Sequence, residues 1–220
     1  MDENFSQGLS LKHFCKNAQM GFSMPLEIVD SSFVRLKQVH GSHGHCLSSS
    51  LSVPENLEGD WFWTGEENMK LGISVADCTA ILISGKNSIG NFVAAIHAGW
   101  RGTADKIIEK ALDELKPEGE FFAWLSPSIC QEHFEVGAEV IGALGDEAWP
   151  FTKISEKSTP AAEKFYLALK GFQKFKLNKY SGIRISESSL CTYCQPEFYS
   201  YRRDKDLRRK LRHLAWIQRA

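Results

Sequence analysis

Residues 94–108 read AAIHAGWRGTADKII. An apolar run of strand length ends at His97, a Trp-Arg pair bracketed by glycines follows, and a second apolar pattern starts at Ala104. Ala104, Ile107, Ile108, Ala111, Leu112 and Leu115 fall on one helical face. Thr103 is the expected cap, Asp105 suits the positive first turn, and Pro117 with Gly119 supplies the stop. The stretch therefore predicts strand, glycine loop, helix. That puts His97 at a strand's C-terminal end and Arg101 beside helix N–H groups that attract anions. The glycines are expected to let the backbone turn sharply and approach a ligand.

The pattern continues on both sides. LGISVADCTAILI (71–83) is β-rich at its ends and interrupted at Ala76, Asp77 and Cys78, which predicts two strands around a polar feature. FFAWLSPSI (121–129) reads as a strand leaving into a turn, VGAEVIGAL (136–144) as a short helix, and AAEKFYLALKGFQKFKLNKYSG (161–182) as a longer helix stopped by Gly182. GIRIS returns to strand alternation, and CLSSSLSVPENLEG (46–59) reads as a loop. Interleaved strands and helices argue for an α/β or α+β domain with a central sheet covered by helices.

The 220 residues, 43% of them hydrophobic, suffice for one core, and no linker or repeat marks a boundary. A single domain over 1–220 is expected. A net charge of −1 recommends neither a nucleic acid nor an anionic membrane as partner. The basic run YRRDKDLRRKLRH (201–213) is the local exception, readable as solvated surface or as a phosphate holder. The N-terminus shows no apolar signal region, and no run of 18 apolar residues occurs, so a cytoplasmic location is expected. The six cysteines are then expected to be thiols or ligands rather than disulfides.

Three of the seven histidines lie in KQVHGSHGHC (37–46), a tract that suggests metal or a polar surface loop. A carboxylate such as Asp77 beside Cys78 in an apolar segment is not there for packing. If His40, Cys78 and His97 converge, two nitrogens and one thiolate suit zinc with a fourth position open, as in a catalytic site. Cys191 and Cys194 form a C-x-x-C pair with no second pair following, which favours a structural role.

KQVHG (37–41), ADC (76–78), AAIHAGWRGT (94–103), SPSI with FEVG (126–137), and CTYC with FYSYRRD (191–204) together resemble the YfiH-type family, also called the laccase-domain or polyphenol oxidase-like family. The resemblance runs from about residue 33 to the C-terminus and leaves residues 1–32 as an atypical, shortened segment. It implies a three-layer αβα domain with a central mixed sheet, and a zinc ion held by His40, Cys78 and His97. It also implies phosphorolysis of adenosine, inosine, guanosine and methylthioadenosine, deamination of adenosine, and an association with peptidoglycan precursors in some relatives. Seven histidines are few for the four coppers of a multicopper oxidase. Departures include Thr79 where proline is usual and His133-Phe134 where Cys-Tyr is usual.

On this reading a zinc-activated water would serve deamination with Asp77 as proton shuttle. Arg101 with Arg202 or Arg203 would clamp phosphate for phosphorolysis. One rival makes Cys78 a nucleophile with His97 as its base in a metal-free cysteine hydrolase or amidase acting on peptidoglycan precursors. Another is a non-enzymatic binding protein. The expected partners are a purine nucleoside and phosphate, and the expected state is a monomer or small homo-oligomer.

Overall fold

A computed structural model of the chain describes residues 18–23, 32–48, 53–204 and 211–219. In chain order, β1 (Ala18–Phe22), β2 (Phe33–Val34), β3 (Gly44–Cys46), β4 (Trp61–Thr64) and β5 (Lys70–Val75) come first. Then follow β6 (Thr79–Asn87), β7 (Gly90–Ala98), α1 (Trp100–Ala104), α2 (Ile107–Leu115) and β8 (Phe121–Leu125). Next are β9 (Glu135–Gly137), α3 (Ala138–Leu144), β10 (Thr152–Ile154), β11 (Lys164–Leu167) and α4 (Leu169–Leu177). The last are β12 (Ile183–Glu187), α5 (Tyr201–Asp204) and β13 (His213–Arg219).

A mixed six-stranded sheet in the order β12-β8-β6-β7-β4-β3 forms the centre, with parallel pairs at both edges and antiparallel pairs between. Side chains along β6 alternate faces, as pleating requires. Ile81 and Ile83 pack against the helical face of Ile107, Ile108, Ala111, Leu112 and Leu115. Ala80 and Leu82 pack against Met20, Leu71, Ile73, Ala215 and Ile217 from a second sheet, β1-β13-β5-β2. The expected mixed α/β class with a mixed central sheet is present, and its third layer is this four-stranded sheet rather than further helices. The fully buried runs of β6 and β7 follow from being covered on both faces.

Local structure departs from the sequence reading in several places; the helix expected over 136–144 begins only at Ala138, because Val136 and Gly137 pair in β9. The helix after His97 starts at Trp100 with Gly99 as its cap; Thr103 lies inside it and returns its hydroxyl to the Gly99 carbonyl at 2.8 Å. The chain then breaks at Asp105 and Lys106, the latter at φ 60°, before α2 resumes the apolar face. The long helix expected over 161–182 is strand β11 followed by α4. Pairing with β9 and β10 draws Lys164–Leu167 into a three-stranded sheet. Gly182 does stand beyond the helix at φ 80°. Among the described residues no helix is long and apolar enough to cross a membrane.

His213 is the first residue of β13 and is fully buried. Its Nδ1 hydrogen donates to the Ser23 carbonyl at 3.0 Å, and its Nε2 accepts the Tyr199 N–H at 3.1 Å, a pairing that requires the neutral ring. Burial holds its pKa below the ordinary 6.5. The unfolded chain therefore takes up a proton that the folded chain refuses, so stability is complete above that value and is lost as pH falls through the window beneath it. Thermal unfolding scanned from about pH 8 to about pH 5 should show Tm falling on the acid side. His213→Gln, which keeps an acceptor and a donor but does not titrate, should flatten that limb; an unchanged slope would show that His213 does not set it.

Candidate active site

Asp60 immediately precedes β4 and its side chain has no exposure. A buried carboxylate must be satisfied by donors. Here the N–H groups of Val39, His40 and Gly41 point to it at 3.2, 2.9 and 2.7 Å, and His97 Nδ1 lies 2.8 Å from Oδ1. The Asp60 carbonyl also accepts the His97 backbone N–H at 2.7 Å. Burial pushes the Asp60 carboxyl up, but the hydrogen bonds from His97, Gly41 and His40 hold it below the ordinary value.

Wrapping the loop around this carboxylate places His40 at φ 62°, in the left-handed region. Its ring meets His97 edge-on, with centroids 4.8 Å apart. Cys78 enters from the break between β5 and β6, where Asp77 also has a positive φ of 88°. The Cys78 sulfur and one ring nitrogen from each imidazole lie within 4.8 Å of one another. Burial pushes the Cys78 thiol up, yet the two imidazoles bring it down to about 6. Burial pulls His97 down, while Asp60 and Cys78 raise it to about 9. The sequence-predicted trio thus converges.

The two glycines around Trp100 and Arg101 serve close packing rather than a turn. Gly99 and Gly102 do not have positive φ. A Cβ on Gly99 would lie 3.1 Å from Cys78 Sγ, and one on Gly102 would lie 2.6 Å from the Gly41 carbonyl oxygen. Gln173 of α4, fully buried, fixes the same corner by donating to Ala98 O and Thr103 Oγ1 at 2.7 and 3.0 Å.

The trio lines a cavity of about 780 Å³. Trp100, Phe134 and Tyr201 supply aromatic faces to its wall, and Arg101, Arg202 and Arg212 supply cations. Arg101 lies 4.6 Å over the Trp100 ring. Arg202 lies 5.4 Å over the Phe134 ring and donates to Glu135 O at 2.8 Å. Arg203 does not line this cavity: its guanidinium donates to the carbonyls of Thr192, Tyr193, Gln195 and Phe198 and to the Asp204 carboxylate. Asp77 lines it but is engaged, accepting the Thr192 hydroxyl at 2.6 Å and the Arg202 N–H at 2.7 Å.

Three features escaped the sequence reading. Asp60 was hidden at the head of an aromatic strand, although a carboxylate before WFW is the same signal that singled out Asp77. Arg212 belongs to the basic run but enters the cavity from just before β13. Cys130, His133, Cys191 and Cys194 form a second donor group whose atoms also lie within 4.8 Å, and which could hold a metal ion. His43 and His45 pack edge-on against each other, with His45 bonded to Glu58 O; neither belongs to a metal-competent group among the described residues. Lys205–Lys210 of the basic run lie outside the described residues.

The chain is 36% identical over 157 residues to a purine nucleoside phosphorylase of Aquifex aeolicus, covering 70% of this chain and 69% of that protein. It is 30% identical over 202 residues to adenosine deaminase RL5 from an unknown prokaryotic organism, covering 85% and 76%. Solved structures of the same fold include Neisseria meningitidis protein NMB0706 (TM-score 0.78, 20% identity, 96% and 98% coverage). Bacillus licheniformis YfiH gives a TM-score of 0.75 at 22% identity, covering 91% and 92%. The family described as multi-copper polyphenol oxidoreductase laccase matches residues 12–218. With that match spanning nearly the whole sequence, the chain belongs to this laccase-like, YfiH-type family.

Proposed function

We propose that the chain is a zinc-dependent purine nucleoside enzyme, catalysing phosphorolysis of adenosine, inosine, guanosine and methylthioadenosine and deamination of adenosine. The observation that carries this reading is the convergence of His40, Cys78 and His97, oriented by Asp60, on a cavity with both aromatic faces and arginines. The donor set fits zinc: one thiolate and two imidazoles leave a fourth position open. The carboxylate on His97 Nδ1 commits the other ring nitrogen to the ion, the usual outer-shell arrangement of a ligating histidine. A zinc ion there would supply Lewis acidity and a water acidified to near neutral pH.

The chain's own residues supply the rest. Trp100, Phe134 and Tyr201 offer flat apolar surface for a purine. Arg101 and Arg202 can turn remaining N–H donors toward phosphate, and Arg212 adds a third cation. Arg203 instead holds the backbone around α5 and so sets where Arg202 stands. Asp77 shares that positioning task through Thr192 and the Arg202 N–H, in place of the free proton shuttle expected from its neighbour Cys78. The names of the relatives point to a purine nucleoside for phosphorolysis and to adenosine for deamination.

One observation favours a second reading. Cys78, His97 and Asp60 line up as nucleophile, base and orienting carboxylate, the arrangement of a cysteine hydrolase or amidase. His40 argues against it, because a second imidazole on the same sulfur is needed by a metal and not by a nucleophile. Iodoacetamide separates them: fast labelling of Cys78 in protein as purified supports the hydrolase, and labelling only after chelation supports the zinc ligand.

Purified protein should contain zinc and convert adenosine to adenine and ribose phosphate with phosphate present, and to inosine without it. Metal-free protein forming none of these products would overturn the reading. Asp60→Asn should weaken zinc at this site by about 10- to 100-fold, read by chelator competition. Arg101→Ala should raise the KM for phosphate by about tenfold or more while sparing deamination, since a hydrogen bond to a charged group is worth about 1.5–3 kcal/mol. Equal loss of both reactions would place Arg101 with the nucleoside instead.

A further inference from the structure

We propose that Cys130, His133, Cys191 and Cys194 form a second, closed zinc site that fastens the C-terminal arginine segment to the body of the enzyme. Cys130 caps the short 3-10 turn Gln131–His133 ahead of β9 and His133 ends it, and Cys191 and Cys194 sit in the loop between β12 and α5. C-x-x-H and C-x-x-C are each ligand spacings of structural zinc. The missing partner for CTYC thus precedes it in the sequence and carries a histidine.

The distances fit the ion. Zn–S bonds near 2.3 Å and Zn–N bonds near 2.0 Å in a tetrahedron imply S···S edges of about 3.8 Å and S···N edges of about 3.5 Å. Cys130 Sγ and Cys194 Sγ are 3.9 Å apart, and His133 Nδ1 lies 3.1 and 3.4 Å from them. Such a sulfur separation is far longer than a disulfide bond. The backbone N–H of Cys130 points at Cys191 Sγ at 3.2 Å, as suits a thiolate. The His133 ring is fixed by stacking on Tyr193 with centroids 4.0 Å apart, so its Nδ1 faces the sulfurs. Three thiolates and one imidazole favour zinc among divalent ions and leave no position for substrate.

The site would act by position. Thr192, beside Cys191, grips Asp77 at 2.6 Å, and the carbonyls of Thr192 and Tyr193 receive the Arg203 guanidinium. Fixing the knuckle therefore fixes α5 and, through it, Arg202 at the cavity wall.

Full-length protein from zinc-supplemented cells, kept reduced and desalted, is assayed for zinc per chain as wild type, His97→Ala, Cys194→Ser, His133→Ala and His133→Cys. The expected values are two for wild type, one each for His97→Ala, Cys194→Ser and His133→Ala, and two for His133→Cys. Cys194→Ser should also lower Tm, and cobalt-exchanged His97→Ala should keep the intense sulfur-to-cobalt charge-transfer band of a three-thiolate site. If Cys194→Ser does not fold, the His133 pair decides by the same measure. Wild type with one zinc that vanishes in His97→Ala, or a Cys130–Cys194 disulfide in the native protein, would overturn the proposal. One zinc that vanishes in the Cys194 and His133→Ala variants instead would uphold it and sink the first site.

Discussion

Everything at the candidate active site hangs on the Asp60 carboxylate. Burying an ionised carboxylate carries a penalty of several kcal/mol, and only a full set of donors offsets it. Asp60 collects them from three successive N–H groups of the 39–41 loop and from the His97 ring. These donors come from segments far apart in sequence, so the charge cannot be satisfied until the loop and the end of β7 have both docked. The fold and the ligand geometry are thereby one event: the same hydrogen bonds that neutralise Asp60 place His40 at φ 62° and aim His97 at Cys78.

A second consequence is crowding. With the loop drawn against α1, there is no room for a side chain at 102, where its Cβ would meet the Gly41 carbonyl, and Cys78 crowds position 99 in the same way. Asp105 secures the contact from the other side, accepting the Ser42 hydroxyl and pairing with Lys110 at 3.1 Å. The price is the helix itself, which breaks at Asp105 and Lys106. A local reading of the sequence placed Thr103 and Asp105 at a helix start because it saw their propensities and not Ser42, which lies 63 residues upstream.

The same distinction explains how much was legible. The strand and helix faces around His97, the β5–β6 break and the three candidate ligands were readable because they depend on periodicity and residue chemistry within a few positions. Strand β11 was not: Phe165, Leu169 and Phe172 fall close to helical spacing, and only pairing with β9 and β10 draws Lys164–Leu167 into extended form. The carboxylate before WFW is visible locally, but what Asp60 does, like what the Cys130/His133 pair does, depends on partners many residues away. Arg203 was nominated as a cation but is occupied by carbonyls that no motif spacing announces.

Asp77 joins these parts into one system. It precedes Cys78, and its carboxylate holds Thr192, which follows Cys191, together with the N–H of Arg202. A single carboxylate thus sits next to Cys78 in the sequence, hydrogen-bonds the residue that follows Cys191, and bonds directly to the helix that presents an arginine to the cavity. Its φ of 88° is unfavourable for a non-glycine residue and persists because both of its neighbourhoods constrain it. Movement of the C-terminal knuckle would therefore reach the Cys78 loop through two hydrogen bonds, without passing through the sheet. In this architecture the motifs ADC and CTYC with SYRRD, far apart in the sequence, are tied together through Asp77 at the wall of the cavity.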